Sequence, residues 1–332
     1  MPGRNLSIFS FKMKKFLKNI LMYFGSITLG VVLFVSIAFP KIKLYTKPFD
    51  GYLARCTSLT NECARPRLVL VGGSNLACGV DNQLLGRLLD GKYEVVNLGF
   101  HAGLGIGVHF DLIFDALRPD DVVVLAAEYT NFGDRWSGGL PAVVLRCDVL
   151  GRNLFLSTAN DRWSSADCGL WRQYAKEKMR KVVGGVQLFE APASQRSMAG
   201  SNKTVENCAP APGYVKQAVY STGMFKLSAK SLGYLKLLGA EFKSRGVTFL
   251  ISAPAYDSRH YALHSEIDDI YGKIREVPGL HIISRPADYV FPLEEMADSE
   301  WHVNCVGRKK RTIALAEDIK HALKDGLDHP VQ

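Results

Sequence analysis

Three short stretches of this chain carry the residue types that acyl chemistry needs. The first is Val71-Gly72-Gly73-Ser74-Asn75. Two glycines let the backbone turn sharply after an apolar run, so Ser74 stands where it can act as a nucleophile and its own N–H can help hold an oxyanion. Taken alone, the same stretch reads as an N-cap serine on a strand–helix turn. The second, Asn97-Leu98-Gly99-Phe100-His101-Ala102-Gly103-Leu104-Gly105, is a glycine-rich turn able to present the N–H of Gly103 to the same crevice. It contains no G-x-G-x-x-G and is not a dinucleotide fingerprint. The third is Asp298-Ser299-Glu300-Trp301-His302-Val303-Asn304-Cys305-Val306-Gly307. There His302 can take and return the Ser74 proton while a carboxylate just before it fixes its tautomer. The chain has eight histidines, and what sets His302 apart is its placement.

That placement follows from the elements around it. Apolar runs at 67–72, 93–98, 122–127, 247–252 and 280–284 read as strands, and 82–89, 108–117, 226–243, 260–275 and 308–324 as helices. Continuous apolar strands buried on both faces are what a parallel sheet between helix layers requires. The expected fold is α/β, a three-layer, doubly wound, flavodoxin-like sheet of about five strands, with its crevice at the carboxyl ends of the strands. All three stretches fall at those ends. Between about 132 and 215 the alternation lapses into Gly-Gly, scattered Trp, a basic helix at 170–182 and a polar run, which reads as a lid-like insertion in the domain 67–325.

The formal charge of +9 is not spread over the chain. Arg4, Lys12, Lys14, Lys15, Lys18, Lys41, Lys43 and Lys47 lie in residues 1–49 without one acidic partner, leaving residues 50–332 nearly neutral. That disfavours nucleic acid, whose binding needs a basic patch on the folded domain. From 20 to 39 runs ILMYFGSITLGVVLFVSIAF, apolar throughout and flanked by lysines. At ~1.5 Å per residue it spans a ~30 Å hydrocarbon core and exceeds a cleavable leader. The expectation is a basic cytoplasmic tail (1–19), a single-pass anchor in the cytoplasmic membrane (20–39), a connector (40–66), an exported domain and a short tail (326–332). All seven cysteines lie beyond the anchor, and Cys56 and Cys63 flank a short loop that suits a disulfide in an oxidising compartment. Neither a C-x-x-C pair nor a His/Cys cluster suggests a metal, and no cofactor is expected.

Together the three stretches resemble the SGNH (GDSL-like) hydrolase superfamily. The pattern is similar to its membrane-anchored branch in cell-envelope acylation, such as the D-alanyl transfer protein of teichoic acids and the alginate O-acetylation proteins. That branch follows a Gly-x-Ser with Gly-Val/Ile-Asp, matched by Gly72-Gly73-Ser74 and Gly79-Val80-Asp81. Its closing block D-x-x-x-H-L-N-x-x-G-x-x-x-R-T is similar to Asp298, His302, Asn304, Gly307, Arg311 and Thr312. The likeness covers residues 67–132 and 218–325. Gly73 stands where the family has Asp. Ser299 occupies the usual triad-Asp position, so Asp298 is the candidate, ahead of Glu300. The third strand ends in Ala127-Glu128-Tyr129-Thr130-Asn131 without the family's Gly-x-Asn. Asn131 is the candidate third oxyanion donor; if it lies too far along, Glu128 and Tyr129 line the pocket instead.

The resemblance implies an extracytoplasmic serine esterase or O-acyltransferase handling an O-acetyl group on a cell-envelope or exported polysaccharide. Water as acceptor makes an esterase, a sugar hydroxyl a transferase. Trp136, Trp163 and Trp171 suit a carbohydrate polymer and equally suit packing. A transferase would need a multi-span membrane partner to deliver acyl groups made in the cytoplasm, docked on the small residues Gly25, Ser26, Gly30 and Ser36 of the anchor. The alternative is a catalytically degenerate domain serving as a binding or scaffold subunit of an envelope polysaccharide machine.

Overall fold

The computed structural model describes residues 16, 18–20, 22–30, 33, 50–61, 63–133, 138, 208–215 and 225–324. The chain divides into two units, Met1–Lys47 and Pro48–Gln332. In the first, residues 22–30 are helical and Met22, Tyr23, Phe24, Ile27 and Leu29 are exposed. Among the described residues no helix is long and apolar enough to cross a membrane. Residues 21, 31–32 and 34–39 of the expected anchor lie outside the described residues. So do Trp136, Trp163, Trp171, the helix expected at 170–182 and most of the insertion.

The second unit is built on a five-stranded parallel sheet. Its strands are β1 (Arg67–Gly72), β2 (Glu94–Asn97), β3 (Val122–Ala126), β4 (Thr248–Ile251) and, after the two-residue β5 (Tyr256–Asp257), β6 (His281–Ile282). The order is β2-β1-β3-β4-β6. The helices are α1 (Asp50–Ser58), α2 (Ser74–Gly79), α3 (Asn82–Leu88), α4 (Ile106–Ile113), α5 (Pro212–Val215), α6 (Ala229–Ser244), α7 (Ser258–Tyr261), α8 (Glu266–Arg275) and α9 (Cys305–Lys324). Alternation along the strands sends successive side chains to opposite faces. Leu68, Leu70, Val122, Val124 and Leu250 pack with Leu85 of α3 and Leu315 and Ile319 of α9. Phe249, on the other face, meets Phe110 of α4 and Phe242 of α6. Every residue of β1 and β3 is buried, as helix layers on both faces demand.

The expected helix at 260–275 is broken in two. Asp257 caps α7 by accepting from the Arg259 N–H at 2.7 Å, and the chain restarts at Glu266. Two small sheets were not expected: β5 pairs with β7 (Val290–Phe291), and β8 (Met296–Ser299) forms an antiparallel hairpin with β9 (His302–Val303). The suggested Cys56–Cys63 disulfide is corrected. Cys56 is buried on α1 against Tyr52, Cys63 turns its thiol to Glu94, and both are free. Among the described residues a disulfide joins Cys208 to Cys305.

Candidate active site

The crossover from β1 to β2 runs to one side of β1 and the next, from β2 to β3, returns to its other side, so the crevice opens beyond the carboxyl ends of β1 and β3. Ser74 and Glu128 stand there, on the turns that follow those two strands. Gly72 pairs with Ala126 in register, and any Cβ on it would collide with the Ala126 carbonyl. Ser74 opens α2 at 8% exposure, and its hydroxyl donates to Oε1 of Glu128 at 3.2 Å. The backbone N–H of Asn75 donates to the same oxygen at 3.4 Å. Burial pushes the Glu128 carboxyl above its ordinary range, while the nearby His302 and the hydrogen bonds from Asn75 and Ser74 pull the other way.

The hairpin β8–β9 positions His302, the candidate base. Met296 pairs with Val303 and Ser299 with His302, so Ala297 and Asp298 form a bulge with no residue opposite them. A bulge re-aims a side chain, and here Oδ1 of Asp298 lies 2.7 Å from Nδ1 of His302. Ser299 instead pairs with His302 in the ladder, and its hydroxyl accepts from the Trp301 N–H at 3.4 Å. The hydrogen bond to His302 holds Asp298 below the usual carboxylate range despite partial burial. Glu300 sits at the hairpin tip, where its carbonyl accepts from the Asp257 N–H. Trp301, beside the histidine, packs 4.4 Å from Tyr256 and 5.6 Å from Tyr129, fixing the tip to an aromatic cluster. β9 packs against α2, which brings His302 to the helix that Ser74 opens. The Ser74 hydroxyl is directed to Glu128, and no hydrogen bond joins it to His302.

The expected oxyanion donors are differently employed. The Gly103 N–H donates to Nδ1 of His101 at 2.9 Å. Nδ2 of Asn131 donates to the Ala102 carbonyl at 2.9 Å, and its Oδ1 is buried without a partner. Tyr129 is wholly buried in the aromatic cluster rather than lining the crevice. His101 is a residue that sequence reading passed over. Burial and the charge of His302 both lower its pKa, which keeps Nδ1 an acceptor for Gly103. Its position inside the glycine-rich stretch was the available signal.

The remaining motif residues serve as scaffolding. Arg311, fully buried, donates through Nη1 to the Asn75 carbonyl and through Nη2 to Asn75 Oδ1 at 2.7 Å. A Cβ at Gly79 would occupy the space of Nη1, so that glycine makes room for the guanidinium. Thr312 Oγ1 accepts from the Asp81 N–H at 3.0 Å, while Asp81 itself caps α3. Asn304 Oδ1 accepts from the N–H groups of Val306 and Gly307, and its Nδ2 donates to Glu294 and Cys208 carbonyls. Among the described residues no group of three or more His, Cys, Asp or Glu side chains is placed to hold a metal ion.

No protein-family model matches this chain, and no curated protein matches its sequence. Among solved structures it is similar to one provisionally described as a platelet activating factor from Streptococcus pneumonia, with a TM-score of 0.42 and 9% identity. That alignment covers 87% of this chain and 98% of the other.

Proposed function

We propose that this protein is a membrane-anchored, extracytoplasmic serine esterase or O-acyltransferase of SGNH type, acting on O-acyl groups of a cell-envelope or exported polysaccharide. The observation that carries the reading is the convergence of Ser74 and an Asp298-oriented His302 at the switch point of the sheet. With Nδ1 engaged by Asp298, Nε2 of His302 remains to accept the Ser74 proton. Oγ then bonds to the acyl carbon, the carbonyl π pair moves to oxygen, and the ester C–O bond breaks as His302 returns the proton to the departing alcohol. Water or a sugar hydroxyl reverses the sequence and releases the acyl group. The Cys208–Cys305 disulfide fits an oxidising compartment, and the apolar run 20–39 with its flanking lysines fits an anchor. Delivery of the acyl group by a multi-span membrane partner belongs to the transferase form of the reading.

One observation favours the scaffold alternative: the serine hydroxyl is turned to a buried carboxyl instead of to the histidine. Turnover of 4-nitrophenyl acetate by the full-length protein in detergent separates the two. Ser74→Ala and His302→Ala are each expected to remove nearly all of it, because nucleophile and base act as a unit. Wild-type turnover in Ser74→Ala would hand the molecule to the scaffold reading.

A further inference from the structure

Two of the three oxyanion donors that the sequence suggests are already spent, Gly103 on His101 and Asn131 on Ala102. Glu128 occupies the place beside Ser74 that such a donor must have. Ser74 Oγ and the Asn75 N–H both donate to its Oε1. A neutral carboxylic acid can accept both on its carbonyl oxygen and keeps a hydroxyl that donates. The neighbouring backbone is shaped for it as well. A Cβ at position 73 would collide with Glu128 Oε1, so the glycine that replaces the resembled family's Asp is what admits this carboxyl.

We propose that Glu128 is a further catalytic residue, a neutral acid whose Oε2–H donates to the oxyanion formed when Ser74 attacks an acyl carbonyl. This rests on the Ser74–His302 reading above. An ionised carboxylate at 4% exposure would repel the developing oxyanion, so only the neutral form serves. The groups facing Glu128 are His302 from β9, Arg311 from α9 and Cys78 from α2. Arg311 is committed to Asn75, and burial pushes the Cys78 thiol up to about 11, which leaves it neutral. The productive state is neutral Glu128 with neutral His302. Its proton-transfer tautomer, carboxylate with imidazolium, carries the two charges that burial opposes. On attack the Ser74 hydroxyl turns from Oε1 to His302, its proton goes to Nε2, and the proton on Oε2 stays where it is, shared with the new oxyanion.

The test is the pH profile of kcat/KM for 4-nitrophenyl acetate, measured on the full-length wild type, Glu128→Gln, Glu128→Ala and Ser74→Ala. Wild-type activity is expected to fall as pH rises through the titration of Glu128. Glu128→Gln, nearly isosteric and a donor at every pH, is expected to stay within about tenfold of wild type and to lose that alkaline limb. Glu128→Ala is expected to lose roughly 100–1000-fold, the cost of one oxyanion donor. A Glu128→Gln as inactive as Glu128→Ala, or one that keeps the alkaline limb, overturns the proposal. Turnover abolished by Ser74→Ala but intact in Glu128→Ala overturns it alone. Turnover that survives Ser74→Ala overturns the serine reading and this proposal with it.

Discussion

Arg311 grips Asn75 through both ends of one guanidinium: Nη1 donates to its backbone carbonyl and Nη2 to its side-chain oxygen, with both residues fully enclosed. Asn75 follows the candidate nucleophile directly, and its Nδ2 ties on to the Ala126 carbonyl at the end of β3. The last helix therefore holds the turn that carries Ser74 in place, across 236 residues of sequence. Burial lowers the guanidinium to about 10, so it remains charged at neutral pH.

Arg311→Met is expected to destabilise the protein by about 2–4 kcal/mol, because it strands two buried oxygens of Asn75. Arg311→Lys keeps the charge but not the fork and should recover only part of that loss. Urea unfolding of the three proteins checks this, and a wild-type midpoint for Arg311→Met would refute the role.

Asp298 is half exposed, with a side-chain accessibility of 59%, and its Oδ1 lies 2.7 Å from Nδ1 of His302, which it orients in the proposed mechanism. Asp298→Asn is expected to lower kcat for ester hydrolysis by one to two orders of magnitude less than Ser74→Ala does. KM should be nearly unchanged, since the side chain orients the base and binds nothing. Equal losses in the two variants would make Asp298 indispensable to proton transfer.

The returning end of the insertion is fastened to the hairpin that carries His302. Cys208 is bonded to Cys305, three residues after His302, the Ala211 N–H donates to the Ala297 carbonyl at 2.7 Å, and Tyr214 donates to Asp257 at 2.5 Å. The disulfide closes a loop with a sequence separation of 97, and its removal as Cys208→Ser/Cys305→Ser is expected to cost about 2–4 kcal/mol. Dithiothreitol should lower the urea midpoint of the wild type and leave that of the double variant unmoved. A wild type insensitive to reductant would refute the tether.

The central strands were legible because each is a continuous apolar run, Ser74 because it follows such a run at the carboxyl edge, and His302 because it stands between the last expected strand and the final helix with an Asp before it and a Gly after. The hairpin was not. β9 is only His302–Val303, too short for any period to register, and the chain reverses into it at Glu300 and Trp301. The role of Glu128 was half legible: its place after β3 was evident, while its pairing with Ser74 depends on a contact between turns 54 residues apart. Cys208–Cys305 was illegible for the same reason, since nothing local joins positions 97 residues apart.

Gly73→Ala tests the fit between the glycine and the carboxyl. The added Cβ falls on Glu128 Oε1, and overpacking of this kind costs about 1–3 kcal/mol. The double variant Gly73→Ala/Glu128→Ala should be less destabilised than the sum of the single changes, because the second substitution removes the obstacle. Strict additivity in thermal unfolding would show that the two positions do not touch.

Glu128 and Asp298 predict opposite dependences of stability on pH. Burial raises the folded-state pKa of Glu128 above its ordinary 4.5, so between those values the folded protein binds more protons than the unfolded chain. Stability then falls as pH climbs from the ordinary value through the folded one, and below the ordinary value the residue contributes no difference. Replacing it with Gln removes the penalty. The Tm of Glu128→Gln relative to wild type is therefore expected to rise as pH climbs above 4.5 and to level off once the folded carboxyl has ionised, at roughly 2–4 °C for each kcal/mol recovered. Asp298 has its folded pKa lowered by the hydrogen bond to His302, so its contribution is present above the ordinary value of 3.8 and is lost as pH falls through the lowered one. Asp298→Asn should accordingly cost stability at neutral pH and converge on wild type in acid, by a small amount because the carboxylate is solvent-screened. Differential scanning calorimetry across that range reads both slopes. A Glu128→Gln difference that is flat or falling with pH would mean that the buried carboxyl is already ionised in the folded protein.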